Sequence, residues 1–192
     1  MINLVQADLY KLRKSLSFKI LIVITTISAI IMAIIAYLIP LGKVDESMSG
    51  IGFLLSDISM ISILGAVLSG IIISGDFENK TILDAITSGC SRISVILSKA
   101  IIFSISIAVL LLPYVVVAST GIALNHDYSM GSVASGFLNV LTSTGNTDFI
   151  FSEVGKLVVL MLTLLFVYAA QLSICVPLAI ILKKPIYVVA IY

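Results

Sequence analysis

Long apolar runs, separated by polar segments, dominate the hydrophobic pattern of this chain. We predict four membrane-spanning helices from these runs, at residues 18–39, 51–74, 96–124 and 154–182. The shortest run has 22 residues. At about 1.5 Å of rise per residue it extends roughly 33 Å as a helix, enough to cross the hydrocarbon core of a bilayer. The pattern therefore predicts an all-α, polytopic helical bundle that forms a single transmembrane domain over residues 1–192.

A further apolar run begins after the fourth predicted span. It covers residues 186–192 and would extend only about 10 Å as a helix, far less than the thickness of a bilayer core. It is either a stub in the membrane or the start of a fifth span in a longer protein. We interpret it as the start of a fifth span.

Composition supports a membrane environment. Hydrophobic residues make up 60% of the chain and charged residues 11%, whereas a soluble domain has about 25% charged residues. A water-soluble fold of this size leaves roughly 30% of its surface exposed, and this chain has few polar residues to cover it. We therefore expect an integral membrane protein. The net charge of +1 argues against a nucleic-acid partner.

Lysine and arginine are distributed unevenly between the two sides of the predicted bundle. Nine of the eleven basic residues lie before or at the start of span 1, before or at the start of span 3, or just after span 4, and only Lys43 and Lys156 lie on the other side. Cytoplasmic segments are enriched in Lys and Arg. We therefore predict a multi-pass protein of the cell membrane with a cytoplasmic N-terminus, a cytoplasmic segment at residues 76–95 and an external loop at residues 125–153.

Residues 1–17 have the periodicity of an amphipathic helix. Apolar side chains recur every three or four residues, at Ile2, Val5, Leu9, Leu12 and Leu16. On a helical wheel Lys11 and Lys14 lie opposite this face. Helices of this kind lie in the plane of the headgroups, with their basic face toward anionic lipid. The segment is either a simple lead-in to span 1 or an interfacial elbow helix that braces a partner subunit.

The predicted cytoplasmic segment has the pattern of a short helix followed by a turn. Thr81 and Asp84 stand three residues apart, as in a capping box at the start of a helix. Gly89 can adopt the left-handed conformation that ends a helix, and Ser91 can cap the next one. We therefore predict a helix of about two turns, a sharp turn, and a new helix that enters the membrane.

One side of this short helix is apolar. Ile82, Ala85 and Ile86 are spaced so that their side chains share one face. Because a helix of two turns is unstable in isolation, we expect this face to be buried against a partner. The alternative is an ordinary cytoplasmic loop whose charged residues are solvated.

Two stretches carry a family resemblance. The first reads D-F-x-x-x-T-I, then S-G-x-S-R, then S-K, between Asp76 and Lys99, and the second is L-Y-K-L-R-K-S-x-S-F-K, from Leu9 to Lys19. Both are similar to the membrane subunits of ABC-2 type transporters. The likeness is to small bacterial permeases that pair with separate ATPases and export lantibiotics, bacitracin or amphipathic peptides.

The resemblance implies an architecture and a set of partners. Six spans are expected per permease, with an N-terminal helix along the membrane surface of a bacterial plasma membrane. Two permease subunits, identical or homologous, would surround the export path, and two ATPase subunits would lie below. The connection between spans 2 and 3 would be a coupling helix in a groove of the ATPase. The implied ATPase contacts are Phe77, Glu78, Thr81, Ile82, Asp84, Ala85, Ile86 and Arg92.

Nucleotide chemistry is expected on the partner ATPase. The sequence contains no G-x-x-x-x-G-K-[ST] phosphate-binding loop, so ATP and Mg²⁺ would be bound by the partner. We expect no catalytic residue, cofactor or metal site on this chain. Its two cysteines, Cys90 and Cys175, lack the spacing of metal ligands.

Two polar residues inside the predicted spans are candidates for the translocation path. Asp57 is one, because carboxylates at membrane depth usually line an interior or a water path. If span 2 begins near Ile58, however, Asp57 is an interfacial loop residue. Gln171 is the other candidate, and its alternative role is a hydrogen bond to a neighbouring helix.

The sequence thus predicts the permease subunit of an ATP-binding cassette exporter, which moves an amphipathic peptide, an antibiotic or a drug-like amphiphile. Two alternatives stay open. One is a non-transporting immunity or sensor subunit that docks another cytoplasmic partner. The other is an ion-coupled secondary transporter in which Asp57 is the coupling carboxylate.

Overall fold

The computed structural model of the protein describes residues 2–45, 49–79, 81–123, 128, 136, 137, 139 and 151–182. Within these residues the protein is helical and contains no β-strand, so the predicted all-α class is confirmed. The α-helices are α1 (Ile2–Lys14), α2 (Leu16–Leu38), α3 (Ser49–Leu54), α4 (Asp57–Ser69), α5 (Gly75–Glu78), α6 (Thr81–Thr87), α7 (Arg92–Ala123), α8 (Phe151–Leu172) and α9 (Cys175–Leu182). A π-helical segment, Gly70–Ser74, joins α4 to α5.

Three helical stretches are long and apolar enough to cross a membrane. They cover Leu16–Leu38, Ser49–Phe77 and Arg92–Gly121, where spans 1 to 3 are predicted. A helix satisfies its own backbone hydrogen bonds, which is what a segment needs in lipid. The predicted start of a fifth span, at residues 186–192, and most of the predicted external loop, at residues 125–153, lie outside the described residues.

The fourth apolar run is divided between two helices, α8 and α9. Among the described side chains the apolar stretch of α8 covers Val158–Leu172, and a turn at Ser173 and Ile174 separates α8 from α9. The N–H of Ser173 donates to the carbonyl of Ala170 at 3.2 Å, which tightens the end of α8. Pro177 of α9 lies four residues after Ser173, and a proline ring clashes with the carbonyl four residues before it, which accounts for the break.

Contacts among the described residues divide the chain into two compact units. The first unit consists of described residues within 1–21, 62–109 and 167–192, and the second consists of those within 22–61 and 110–166. The N-terminal helix and the predicted cytoplasmic segment both belong to the first unit. That unit therefore contains the elements that position the candidate site.

In the first unit, α4 and α8 approach each other closely. An added Cβ at Gly65 would lie 2.4 Å from the side chain of Leu172. Gln171 Nε2 donates to Ser62 Oγ at 3.0 Å. A small residue and an interhelical hydrogen bond at a crossing are typical of helices that pack in lipid. The buried apolar side chains of this unit include Leu12, Phe18, Leu21, Leu64, Leu68, Ile72, Ile73, Val95, Ile102 and Phe103.

In the second unit, Tyr114 ties three elements together. Its ring is buried, and its hydroxyl is hydrogen-bonded to Ser28 Oγ at 2.7 Å and donates to the carbonyl of Leu55 at 3.0 Å. Because a buried hydroxyl is costly without a hydrogen-bond partner, this pairing holds α2, α7 and the residue after α3 in place. The buried apolar side chains around it include Ala29, Met32, Ala36, Ile61, Leu110, Leu111, Ala118 and Phe137.

Candidate functional site

The polar segment between α4 and α7 contains the short helix and the turn that the sequence predicts. α6 covers Thr81–Thr87, and Gly89 after it has φ +94°. The N–H of Gly89 donates to the carbonyl of Ile86 at 3.0 Å, and the N–H of Cys90 donates to that of Ala85 at 3.1 Å. These two bonds form a Schellman turn. An added Cβ at Gly89 would meet nothing within 4 Å, so the left-handed backbone alone favours glycine there.

Hydroxyl groups fix both ends of this segment. Ser91 Oγ accepts a hydrogen bond from the N–H of Ser94 at 3.2 Å, and so caps the start of α7 as predicted. Thr81 differs from its prediction as a capping residue. It is the first residue of α6, and its hydroxyl donates to the carbonyl of Asp76 at 3.1 Å. This bond ties α6 to α5.

Four charged side chains from three helices meet in the first unit. We call them the charge cluster: Asp8 and Lys11 of α1, Asp76 of α5 and Lys99 of α7. Lys99 Nζ lies 2.6 Å from Asp8 Oδ1 and also pairs with Asp76 Oδ2. Lys11 Nζ pairs with the other oxygen of Asp76, Oδ1. Ser98 Oγ donates to Asp8 Oδ2 at 3.3 Å. The four charges therefore form a continuous chain of ion pairs that runs from Asp8 through Lys99 and Asp76 to Lys11.

The centre of the charge cluster is buried, and its edge is open. Asp76 is 3% exposed and Lys99 is 7% exposed, whereas the side chain of Lys11 is 56% exposed. Taking a charge out of water costs several kcal/mol in practice unless an opposite charge and hydrogen bonds compensate it. Both buried charges meet this condition, because each contacts two groups of opposite sign.

The π-helical segment influences the direction of Asp76. Its wider turn is closed by the N–H of Gly75, which donates to the carbonyl of Gly70. Relative to an α-helix, this turn holds about one extra residue and rotates the residues after it by roughly 100° about the axis. Asp76 follows the segment almost immediately. π-Helical turns inside α-helices are rare and occur frequently at functional sites.

A cleft of about 160 Å³ borders the charge cluster. Its apolar walls are Leu4 and Ala7 of α1, Ile82 and Ala85 of α6, and Val95 of α7. Part of the apolar face of α6 is therefore directed toward α1 and α7 of the same chain. The prediction that a partner covers this face stays a prediction.

The predicted ATPase contacts lie between α5 and the start of α7. Those that are exposed are Thr81, Asp84 and Arg92, and those that are half-buried are Phe77, Ile82, Ala85 and Ile86. The side chain of Glu78 lies outside the described residues. Ile93, beside Arg92, is 79% exposed and was not singled out from the sequence. It begins an apolar run, so nothing in its sequence neighbourhood distinguishes it from a core residue.

Asp57 is the first residue of α4 and belongs to the second unit. It is fully buried and accepts a hydrogen bond from the N–H of Phe137 at 3.2 Å. Gly136 has φ +61°, and an added Cβ there would lie 2.4 Å from a carboxylate oxygen of Asp57. The carboxylate thus holds residues 136 and 137 at the start of α4. Its place along a translocation path stays a prediction.

Gln171 donates a hydrogen bond to Ser62 on α4. An interhelical hydrogen bond of this kind is the alternative role that the sequence predicts for it. It belongs to the first unit, whereas Asp57 belongs to the second. Neither unit therefore holds both candidate path residues. The hydrogen bond of Gln171 is explained by helix packing alone. Its role in the translocation path stays a prediction.

The charge cluster was not predicted from the sequence. Lys11 was placed on the basic face of α1 and Lys99 at the end of span 3, and the structure pairs both with Asp76. These three residues, with Ser98, all come from the two stretches that carry the family resemblance. Asp8 was not singled out. Its only signal was that it is the lone acidic residue of an otherwise basic helix.

Among the residues that the structure describes, no group of three or more His, Cys, Asp or Glu side chains is placed to hold a metal ion. Comparison of the chain with protein families, with curated proteins and with solved structures gives no match. The candidate site is therefore defined by its geometry. It consists of a short helix, α6, fixed between two apolar helical stretches, and of a charge cluster that joins α1 to both stretches.

Proposed function

We propose that the protein is the permease subunit of an ATP-binding cassette exporter in the bacterial plasma membrane, with its N-terminus in the cytoplasm. It would form a path for an amphipathic peptide, an antibiotic or a similar amphiphile. ATP hydrolysis on two partner ATPase subunits would drive export, and a second permease subunit would complete the path.

The exposed surface of α2 supports a membrane location. Its large exposed side chains are Ile20, Val23, Ile24, Ile27, Ile30, Ile31 and Ile34. Transfer of apolar surface out of water is worth about 25 cal/mol per Å², so a continuous row of exposed isoleucine and valine side chains is unfavourable in water. Lipid chains or a neighbouring span would cover this row without such a cost.

The attachment of α6 at both of its ends is the observation that carries the proposal. At its start, the hydroxyl of Thr81 is bonded to the carbonyl of Asp76, at the end of one long apolar stretch. At its end, the turn at Gly89 leads within a few residues into another, Arg92–Gly121. A partner that displaced α6 would move the ends of both stretches. Such a connection is what a partner needs in order to bias a membrane unit between two states.

The outer surface of α6 and the start of α7 suit a protein partner. Asp84, Arg92 and Ile93 are all exposed there, and they combine charges of both signs with a large apolar side chain. Interfaces commonly pair apolar anchors and Arg with a polar rim. We therefore assign the ATPase contact to this surface.

The test is co-expression with an ATP-binding cassette ATPase encoded beside this chain, followed by co-purification and measurement of ATP hydrolysis stimulated by an amphipathic peptide. Asp84→Lys should lower the stimulated hydrolysis by roughly tenfold, because charge reversal at an interface costs on the order of 1.4 kcal/mol or more. The matched control is Asp45→Lys, an exposed reversal in the connection between spans 1 and 2. It should leave hydrolysis unchanged.

Ile86→Asp extends the test to the apolar face and should abolish association with the ATPase. The proposal fails if no ATPase associates with the chain and both α6 variants behave as the unmodified protein does. Transport that is independent of ATP and is lost in Asp57→Asn would indicate a secondary transporter. Association with a different cytoplasmic protein, without transport, would indicate an immunity or sensor subunit.

A further inference from the structure

The charge cluster consists of two halves, one on α1 and one on the remainder of the first unit, and the charges within each half sum to zero. α1 contributes one acid and one base, Asp8 and Lys11, and the remainder of the first unit contributes Asp76 and Lys99. The two pairs that hold α1 in place join Asp8 to Lys99 and Lys11 to Asp76. A third pair, between Lys99 and Asp76, does not involve α1 at all.

Because each half is neutral, α1 can move away from the remainder of the unit without leaving a buried charge unpaired. If α1 moves away, Asp76 and Lys99 keep each other as partners. Asp8 and Lys11 are three residues apart on α1, a spacing at which an acid and a base can pair on one helix. The costly outcome for a buried ion pair is the loss of one partner, and division of the cluster into two neutral pairs avoids it.

Apolar contacts hold α1 only weakly. Leu12, at 8% exposed, is its single buried side chain among those described, whereas Leu9 and Tyr10 are exposed. The helix also ends just before Ser15, which lies outside α1 and α2. Ser15 Oγ accepts a hydrogen bond from the N–H of Phe18 at 3.4 Å, so α2 has its own start and does not need α1 to continue it. Ser15 is therefore a break about which α1 can turn.

A path of contacts links α6 to the docking of α1. The hydroxyl of Thr81 at the start of α6 holds the backbone of Asp76, which pairs with Lys11 of α1. Ile82 of α6 and Leu4 of α1 also line the same cleft. Displacement of α6 would thus move Asp76 and one wall of the cleft away from α1 together.

We propose that α1 is a releasable element: it docks through the charge cluster, and it turns away at Ser15 as the cluster divides into an Asp8–Lys11 pair and an Asp76–Lys99 pair. Displacement of α6 favours the released state. Both states are properties of the chain alone and need no transport partner. In the unmodified protein the released state is the minor one, with a population of at most about one-tenth.

The test measures the distance between two spin labels on the full chain in lipid nanodiscs. The labels are placed at Gln6→Cys on α1 and Ile93→Cys on α7, which are exposed positions, after Cys90→Ser and Cys175→Ala remove the native thiols. The unmodified charges should give one main, narrow distance. Asp8→Lys combined with Lys11→Asp places like charges opposite Lys99 and Asp76, and should raise a longer-distance population to about one-half, a roughly tenfold shift of the equilibrium.

Reversal of all four charges separates electrostatic docking from a merely structural effect. Adding Asp76→Lys and Lys99→Asp to the α1 exchange restores complementarity, and should restore the short distance. The control exchanges an exposed pair elsewhere, Lys43→Asp with Asp45→Lys, and should leave the distances unchanged. The proposal is overturned if the α1 exchange leaves the helix docked, or if the folded four-charge variant stays as open as the two-charge variant.

A milder variant decides the question if the four-charge variant does not fold. Asp8→Asn with Lys11→Gln removes only the two pairs that α1 makes, and leaves Asp76 and Lys99 paired with each other. The longer-distance population should increase in this variant, and the remainder of the chain should stay folded. An unchanged distance distribution would overturn the proposal.

Discussion

Two buried aspartates of this protein are held in different ways. Asp76, in the first unit, lies between the ammonium groups of Lys11 and Lys99, which belong to two different helices. Asp57, in the second unit, accepts a hydrogen bond from the backbone N–H of Phe137, beside a glycine whose missing Cβ leaves room for the carboxylate. Partners on long side chains can move apart, whereas a backbone amide beside a left-handed glycine has a fixed geometry. We therefore expect the contacts of Asp76 to change with conformation and those of Asp57 to persist.

The largest loss of stability is expected when the central cation of the charge cluster is removed. Lys99→Met keeps most of the length of the side chain but leaves Asp8 and Asp76 without their shared partner. The free energy of unfolding in detergent should fall by about 3–5 kcal/mol, the usual cost of breaking a buried ion pair from one side. Lys14→Met, at an exposed position on α1, is the control and should change it by less than about 1 kcal/mol. Equal effects of the two variants would contradict the account of the cluster.

Aspartate-to-asparagine changes compare the two buried acids directly. Asp76→Asn keeps the shape but removes the charge that faces two lysines, and should cost about 1.5–3 kcal/mol, the range for hydrogen bonds to charged groups. Asp57→Asn can still accept the N–H of Phe137 through its amide oxygen, and should cost about 0.5–1.5 kcal/mol. Chemical unfolding of both variants measures the difference. The reverse order would show that the charge of Asp57 matters more than its geometry.

The fixed geometry at Asp57 is tested at its neighbouring glycine. Gly136→Ala places a Cβ 2.4 Å from the Asp57 carboxylate on a backbone with φ +61°. The left-handed conformation alone costs an L-residue roughly 1–2 kcal/mol, and the close contact adds to it. Gly50→Ala is the control, because an added Cβ there meets nothing within 4 Å on an α-helix. Its replacement should be neutral or stabilising. A tolerated Gly136→Ala would mean that Asp57 moves freely.

The smallest effect is expected at the open edge of the charge cluster. Lys11→Met removes one of the two cations that face Asp76, but the side chain of Lys11 is 56% exposed. Water and Lys99 remain to compensate the carboxylate, so the loss should be about 1 kcal/mol or less. Thermal unfolding of Lys11→Met and Lys99→Met under the same conditions measures the difference between their losses of stability. A loss as large as that of Lys99→Met would mean that the edge of the cluster is as tightly closed as its centre.

Features that depend on neighbouring residues were predictable from the sequence. The length of three apolar runs gave the long helical stretches, because about twenty apolar residues suffice for a span. The apolar spacing in α6 and the glycine at position 89 gave a short helix with a turn, since both signals lie within a few residues. The break after Leu172 also has a local signal, because Pro177 lies four residues after Ser173 and a proline ring clashes with the carbonyl at that distance.

The charge cluster depends on contacts that sequence patterns do not report. Asp8 and Lys99 are 91 positions apart along the chain, and no local rule pairs them. The direction of Asp76 depends on the π-helical segment before it, and the residues of that segment, Gly70–Ser74, have no distinctive pattern. For the same reason the sequence pattern directs Lys11 toward lipid, whereas the structure pairs it with an acid on another helix.

The most direct test of the proposed function is cross-linking from α6 to an ATPase in native membranes. A photoreactive label at Asp84→Cys, in a chain without its native cysteines, should form a covalent adduct with an ATP-binding cassette ATPase in those membranes. The same label at Asp45→Cys, which is also exposed but on the predicted external side, should form none. We expect an adduct at position 84 and none at position 45. Absence of an adduct at position 84, with the ATPase present in the same membranes, would contradict it.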